Sequence, residues 1–397
     1  MDLNSLRVMI VEDQPVQRQI TVRMLKSMGL DKILEADNGQ SALAQLAQLS
    51  EPLDVIICDL HMPGMDGVEF IRHLGSRNLV SSLILASGME AALVGSVEAM
   101  ARVQGLEVLG TLQKPLHYEK FVEILGRYIP HAHATQSALR EAFTREALQE
   151  AITQRRIIAY FQPKIRVSNG AFAGAEVLAR WDHPQYGMVE PAAFIPCAEQ
   201  SDLIGPLTWI MLERTMEQSL IWHKAGHRWP LSVNLSLNHL EQATVADRIG
   251  QMADDYDIPP EDIVLEVTES LAAVNLAPVL GNLARLRMKG FGVAIDDYGT
   301  GYSSLAQLSR IPFTELKIDR SFVNGASTRT TLRAILGSSI ELARQLKLDS
   351  VAEGVETQAD LYLLKELGCD LAQGFLVAEP MPAAELEKWI EKREPKQ

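Results

Sequence analysis

Acidic residues recur where short apolar runs end. Glu12 and Asp13 close RVMIVED, Asp59 closes DVIICD, Ser87 closes SLILAS, and Lys114 follows LEVLGTL. If these runs are parallel strands, their carboxyl ends share one edge of a sheet, where open α/β folds bind ligands. Three carboxylates converging there repel one another unless a hard divalent cation lies between them, so one Mg²⁺ or Mn²⁺ is expected. That ion and Lys114 would offset charge on a phosphoryl group. Asp59 has the chemistry of a nucleophile that becomes an acyl phosphate, and Ser87 could hydrogen-bond the product.

A second acidic set follows the same logic. Glu176 and Arg180 bracket EVLAR, Asn234 lies in VNLS, and Glu266 and Glu269 lie in LEVTES; Asp296 and Asp297 open DDYGTGYSS, Lys317 and Asp319 lie in LKIDR, Glu353 and Glu356 in AEGVE, and Gln373 in AQGF. Glu176, Glu266, Asp296, Asp297, Asp319 and Glu353 set six carboxylates against two nearby cations, Lys317 and Arg180. Oxygen ligands with one amide, and neither Cys nor His, favour Mg²⁺ or Mn²⁺ over zinc. Two such ions sharing Asp296 would activate water and steady both oxygens of an in-line displacement at phosphorus, which points to phosphodiester hydrolysis. Residues two apart on a strand share a face, so Lys317 and Asp319 can both point inward. Adjacent Asp296 and Asp297 can do so only where the strand breaks, and Gly299 and Gly301 are expected to supply that break.

The elements that must position these residues can be read from periodicity. Between Arg7 and Ile129, five apolar runs alternate with amphipathic stretches, the pattern of a doubly wound five-stranded parallel sheet. The run PHAHATQS from Pro130 has no apolar periodicity and reads as a linker, after which Leu139, Phe143, Leu148 and Ile152 mark a connecting helix. From Tyr160 onward come YFQPKI, AEVLAR, LSVNLS, IVLEVTE, GVAIDDYG, ELKIDR, SVAEGVE and AQGFLV. Eight such runs over about 240 residues suggest a (β/α)8 TIM-like barrel with its site residues at the catalytic end.

Composition limits the alternatives. A chain of 397 residues exceeds one ordinary core, and no apolar run is long enough to cross a bilayer. The N-terminus has no signal-peptide pattern, and a cytoplasmic location is expected. A formal charge of −14 argues against a nucleic-acid duplex as partner. Cys58, Cys197 and Cys369 lie too far apart in sequence for a disulfide framework or zinc site and read as small core residues. His131, His133, His183, His223, His227 and His239 lack metal-ligand spacing and read as loop or surface residues.

Two resemblances sharpen this reading. IVEDQP, DLHMPGMDG and Lys114-Pro115 resemble the receiver domain of two-component response regulators. The likeness implies that Asp59 is the phosphorylation site, that Glu12, Asp13 and Asp59 hold the metal ion, that Ser87 and Lys114 form the switch, and that a sensor histidine kinase or phosphotransfer protein is the partner. Thr111 stands where receivers commonly carry an aromatic switch residue, so readout by another route, or only weak readout, is expected. The second region resembles the EAL-domain family of cyclic di-GMP phosphodiesterases, with Val177 replacing the Ala of the family's name motif.

That second likeness implies metal ligation by Glu176, Asn234, Glu266 and Asp296, with Asp297 and Asp319 serving the second ion. Glu353 is implied as general base, or as the residue that holds the attacking water, beside Lys317, and Arg180, Gln162, Gln373 and Glu356 as substrate-facing residues. Glu269 would steady the DDYGTGYSS loop, which is also a candidate contact in a homo-oligomer formed through this domain and possibly the receiver. The expected division is 1–129 receiver, 130–155 linker with connecting helix, and 156–392 EAL domain. The main alternative is a catalytically inactive receptor that binds the nucleotide, or a partner protein, without cutting it. No GG[DE]EF-like run suggests a cyclase, and no basic recognition helix suggests a DNA-binding regulator.

Overall fold

A computed structural model describes residues 6–49, 53–75, 80–89, 91–126, 128, 143–269, 276–299 and 311–393. The chain divides into two units, Met1–Leu139 and Arg140–Gln397. In the first, strands β1 (Arg7–Val11), β2 (Lys32–Ala36), β3 (Leu53–Asp59), β4 (Val80–Ser87) and β5 (Glu107–Gln113) form a parallel sheet in the order β2-β1-β3-β4-β5. Alternate residues of the central strands feed two separate cores: Met9, Val11, Ile56, Cys58, Leu83 and Leu85 on one face, Val8, Ile10, Val55, Ile57 and Ile84 on the other. Helices cover both faces, which is why these strands are apolar along their whole length. The edge strand β2 exposes Lys32 and Glu35, as its sequence KILEA allows.

The second unit begins with helix Arg145–Thr153, whose first turn is capped by Thr144 Oγ1 accepting from the Ala147 N–H at 3.2 Å. Leu148, Ala151 and Ile152 form its buried face, while Leu139 and the PHAHATQS run lie outside the described residues. Strands β6 (Ile157–Arg166), β7 (Phe172–His183), β8 (Gly187–Val189), β9 (Leu231–Asn234), β10 (Ile263–Thr268), β11 (Gly292–Tyr298), β12 (Glu315–Ile318), β13 (Asp349–Ala352) and β14 (Leu371–Ala372) follow. The sheet runs β6-β14-β13-β12-β11-β10-β9-β7, and the β6–β7 pairing closes it into a barrel of eight strands, with β8 folded back onto β7. Trp181 and Trp222 are among its fully buried side chains.

The barrel departs from the expected alternation in three places. β6 runs antiparallel to both neighbours, pairing Ile157 with Trp181 and Leu371 with Arg166. Residues 167–171 between β6 and β7 are too few for a parallel crossover, which needs about a dozen residues, so a hairpin is the only connection they permit. The short strand β8 was not expected. Of the run AQGFLV only Ala372 lies in β14; residues 374–377 turn instead, with the Val377 N–H donating to the Gly374 carbonyl at 2.9 Å. Among the described residues, no helix is long and apolar enough to cross a membrane.

Candidate active site

The first unit brings its acids together at the carboxyl ends of β1 and β3. Lys114 Nζ donates to Asp59 Oδ2 at 2.5 Å and to Glu12 Oε2 at 2.7 Å, and the His61 N–H donates to Asp59 Oδ1 at 3.0 Å. Burial raises the Glu12 carboxyl above its usual range, Lys114 only partly offsetting it. Carboxylate oxygens of Glu12, Asp13 and Asp59 lie within 4.8 Å of one another, and Asp13 Oδ1 is buried with no hydrogen-bond partner among the described residues. An orphaned carboxylate oxygen in such a cluster fits a hard cation. Ser87, buried at the end of β4, accepts from the Met89 N–H at 3.1 Å. Thr111 is half-buried on β5, paired with Leu85. Gly67 is there for space: a Cβ would lie 2.3 Å from the Asp59 carbonyl oxygen.

In the barrel, the acids converge on one lysine. Lys317 on β12 is 1% exposed, and its Nζ lies 2.7 Å from Glu266 Oε2, 2.8 Å from Glu353 Oε1, 2.9 Å from Asp296 Oδ1 and 3.5 Å from Glu176 Oε2. Burial alone would lower its pKa, but those four carboxylates drive it well above the usual lysine value. Gln373 Nε2 donates to Glu176 Oε2 at 2.7 Å and to Gln162 Oε1 at 2.9 Å, while Asn234 Nδ2 donates to Glu176 Oε1 at 3.2 Å. Burial opposes ionisation of Glu176, yet Lys317, Gln373, Lys164 and Asn234 outweigh it and hold that carboxyl below its usual range. Glu266, with no surface exposed, is pushed well above the ordinary value by burial and by Glu176.

Asp296, Asp297 and Glu353 form a second oxygen cluster within 4.8 Å. The pairing of β11 with β12 shifts between Ile295 and Tyr298, and Asp297 itself adopts a left-handed φ of 55°. The break expected from the glycines therefore begins at Asp297, a residue type that tolerates this conformation. Gly299 follows at φ 102°, where a Cβ would meet the Phe322 ring at 2.5 Å; Gly301 lies outside the described residues. The Gly299 N–H donates to Glu269 Oε2 at 2.9 Å, tying the start of the loop down, and the remainder of that loop is outside the described residues. Burial and Asp296 raise Asp297 to about 6. Burial, against the pull of Lys317, raises Glu353 to about 8. Closely spaced carboxyls held above their usual range fit a site that a divalent ion neutralises.

A cleft of about 310 Å³ opens over this cluster and is lined by Gln162, Glu176, Asp296, Asp297, Lys317, Asp319, Glu353, Glu356 and Gln373. Asp319 spends one oxygen capping a short helix, accepting from the Ser321 N–H at 2.9 Å. Glu356 is exposed at the rim, with Asn324 Nδ2 at 3.4 Å. Asn234 instead faces a neighbouring cleft of about 510 Å³, walled by apolar residues such as Pro191, Ile195 and Met211; the two clefts share Leu178. Arg180 lies on the same strand face as Glu176 and Leu178, its guanidinium 5.4 Å over the Tyr160 ring.

Sequence reading missed several residues here. Arg320 and Phe375 line the acidic cleft, Phe375 with 64% exposure. Beneath the cluster, Lys164 Nζ donates to Ser232 Oγ and to Glu315 Oε2 at 3.2 Å. The available signal was a lysine in an apolar strand, two residues after Gln162 and hence on its face. His239, expected on the surface, is 3% exposed with its ring edge-on to Trp209, and the small helix Leu237–Leu240 buries it. His131 and His133 lie outside the described residues.

Comparison with known proteins gives a family for each unit. A family model for the response regulator receiver domain matches residues 8–126, and one for the EAL domain matches residues 145–380. The chain is 36% identical over 382 residues to the cyclic di-GMP phosphodiesterase RocR of Pseudomonas aeruginosa, covering 96% of this chain and 97% of that protein. It is 40% identical over 240 residues to the bifunctional diguanylate cyclase/cyclic di-GMP phosphodiesterase MucR of the same organism, covering 60% of this chain and 35% of that one. A solved PaMucR phosphodiesterase–c-di-GMP complex superposes with a TM-score of 0.58 at 39% identity, over 63% of this chain and 99% of that one. The same two modules in the same order thus join the two acidic strand-end sites, and the chain belongs to the EAL-domain family with a response regulator receiver domain ahead of its barrel.

Proposed function

We propose that the barrel hydrolyses cyclic di-GMP to linear pGpG under control of phosphorylation at Asp59. The observation that carries this reading is Lys317, held within 3.5 Å of four carboxylates beside the Asp296, Asp297 and Glu353 cluster. Glu176, Asn234, Glu266 and Asp296 are the proposed ligands of one ion, with Asp297 and Asp319 completing a second. Two bound Mg²⁺ or Mn²⁺ ions would make water more acidic and offset charge on the phosphoryl oxygens. Glu353, raised to about 8, takes the proton of the attacking water as its oxygen bonds to phosphorus and one P–O bond of the ring breaks. Lys317 offsets the charge that develops on the phosphoryl group. Arg180 grips a phosphate, Gln162, Gln373 and Glu356 orient the substrate, and the two clefts meeting at Leu178 suit a ligand with two bases around an anionic ring.

Incubation with cyclic di-GMP and Mg²⁺ should yield pGpG, followed by chromatography. Tight binding without product would favour the receptor reading. In the receiver, Glu12, Asp13 and Asp59 would hold one ion that offsets phosphoryl charge, Lys114 serves phosphoryl transfer to Asp59 from a histidine kinase or phosphotransfer protein, and Ser87 bonds the new phosphate. Asp59→Asn should abolish labelling by a small phosphodonor; label persisting on this unit would exclude Asp59 as acceptor. Self-association through the Glu269-anchored loop belongs to the same reading and is checked by sedimentation across a concentration range.

A further inference from the structure

Below the proposed metal ligands lies a buried layer of charge that the mechanism above does not use. Lys164 is 3% exposed and Ser232 1% exposed, while the Glu315 side chain is 12% exposed. Each stands two residues from a site residue on its own strand: Lys164 from Gln162, Ser232 from Asn234, Glu315 from Lys317. Two-residue spacing keeps each pair on the inward face, one level apart in depth. Because β6 is antiparallel, its deeper residue follows the shallower one, which brings Lys164 down to the level of Ser232 and Glu315.

Charge alternates up this column. Glu315 lies 3.2 Å from Lys164 Nζ, Lys164 lies 3.8 Å from Glu266 Oε1, and Glu266 Oε2 lies 2.7 Å from Lys317. Lys317 then meets Glu353, Asp296 and Glu176. Glu266 Oε1 is buried with no hydrogen-bond partner among the described residues, and Lys164 is the cation on that side. Lys317 has three N–H bonds to divide among four carboxylates.

We infer that Lys164 is a positioning residue: by drawing Glu266 Oε1 toward the barrel floor, it keeps Glu266 from claiming Lys317 with both oxygens and so leaves Lys317 and Glu266 Oε2 facing the reaction. Lys164 touches no substrate and acts through Glu266. Without it, Glu266 closes on Lys317, and both the proposed ligand and the proposed charge-stabilising group turn away from the cleft. The inference rests on the hydrolase reading for its kinetic consequence, but its effect on ion binding is measurable without turnover.

The test compares full-length wild type with Lys164→Met, Lys164→Arg and the double variant Lys164→Met/Glu315→Gln. Mn²⁺ affinity is read by electron paramagnetic resonance, kcat and KM with cyclic di-GMP. Lys164→Met should weaken Mn²⁺ binding and lower kcat by about tenfold each, the usual size for loss of a residue that orients a metal ligand, with KM little changed. Lys164→Arg should restore most of both. The double variant should stay impaired, because Glu266 still lacks its lower partner, and it substitutes for the single variant if that one does not fold. Wild-type Mn²⁺ affinity in Lys164→Met, or recovery in the double variant, would overturn the inference, the second outcome showing that Lys164 serves only Glu315. If wild type forms no pGpG, the hydrolase reading fails while the Mn²⁺ comparison still decides the role of Lys164.

Discussion

The two acidic sites use the same ingredients at different depths. In the receiver, one lysine with 14% of its side chain exposed bridges two carboxylates on an open sheet edge. In the barrel, a lysine with 1% exposure meets four, with a second lysine beneath them. Coulomb interactions strengthen as water is excluded, so the same charge imbalance weighs far more in the barrel. An accessible edge suits the proposed loading of Asp59 by another protein; a deeper cleft suits the proposed hydrolysis, in which water must be held in one place.

The largest difference should appear in turnover. Glu353→Gln should lower pGpG formation by about 10³-fold, within the range for loss of a general base, while cyclic di-GMP binding stays measurable by calorimetry. Full activity in that variant would remove Glu353 from its role as general base.

Stability should separate the sites next. Lys317→Met removes the cation shared by four carboxylates, three of them buried, and removing one partner of a buried ion pair costs about 3–5 kcal/mol, so denaturant unfolding of the metal-free barrel should show a loss of that order. Lys114→Met should cost less, because Lys114 pairs with two carboxylates rather than four and keeps 14% of its side chain exposed. Equal losses would mean that depth does not distinguish the two clusters.

A smaller effect is expected from pH. A carboxyl whose folded pKa exceeds its unfolded value contributes stability below the unfolded pKa and loses that contribution as pH rises through the folded one. Asp297 at about 6 and Glu353 at about 8 therefore predict that the metal-free barrel loses thermal stability between about pH 4 and pH 8. Mg²⁺ should raise the melting temperature more at the alkaline end, where the ion no longer competes with protons. A shift in the melting temperature that does not depend on pH would break the link between these carboxyls and the ion.

Much of both sites was legible because acids at strand ends are conspicuous in apolar sequence. Asp59 after DVIIC and the Asp296–Asp297 pair before glycines announced themselves, and the structure brings Glu12, Asp13 and Asp59 into one cluster and Asp296, Asp297 and Glu353 into another. What escaped notice depended on direction and depth, which periodicity does not encode. The reversal of β6 follows from the length of a turn, and only that reversal places Lys164 below Gln162. Residues 374–377 look like a strand by composition yet turn, and β8 is too short to register as a run.

The reversed β6 also decides where the polypeptide is threaded. Ile157 pairs with Trp181, near the carboxyl end of β7, and Phe143, just ahead of the leading helix, packs 5.1 Å from the same tryptophan ring. A barrel whose first strand ran with the others would receive its chain at the base. Here the chain comes in over the lip that carries the acids, so any pull on residues 154–156 is exerted at the mouth of the barrel rather than at its floor.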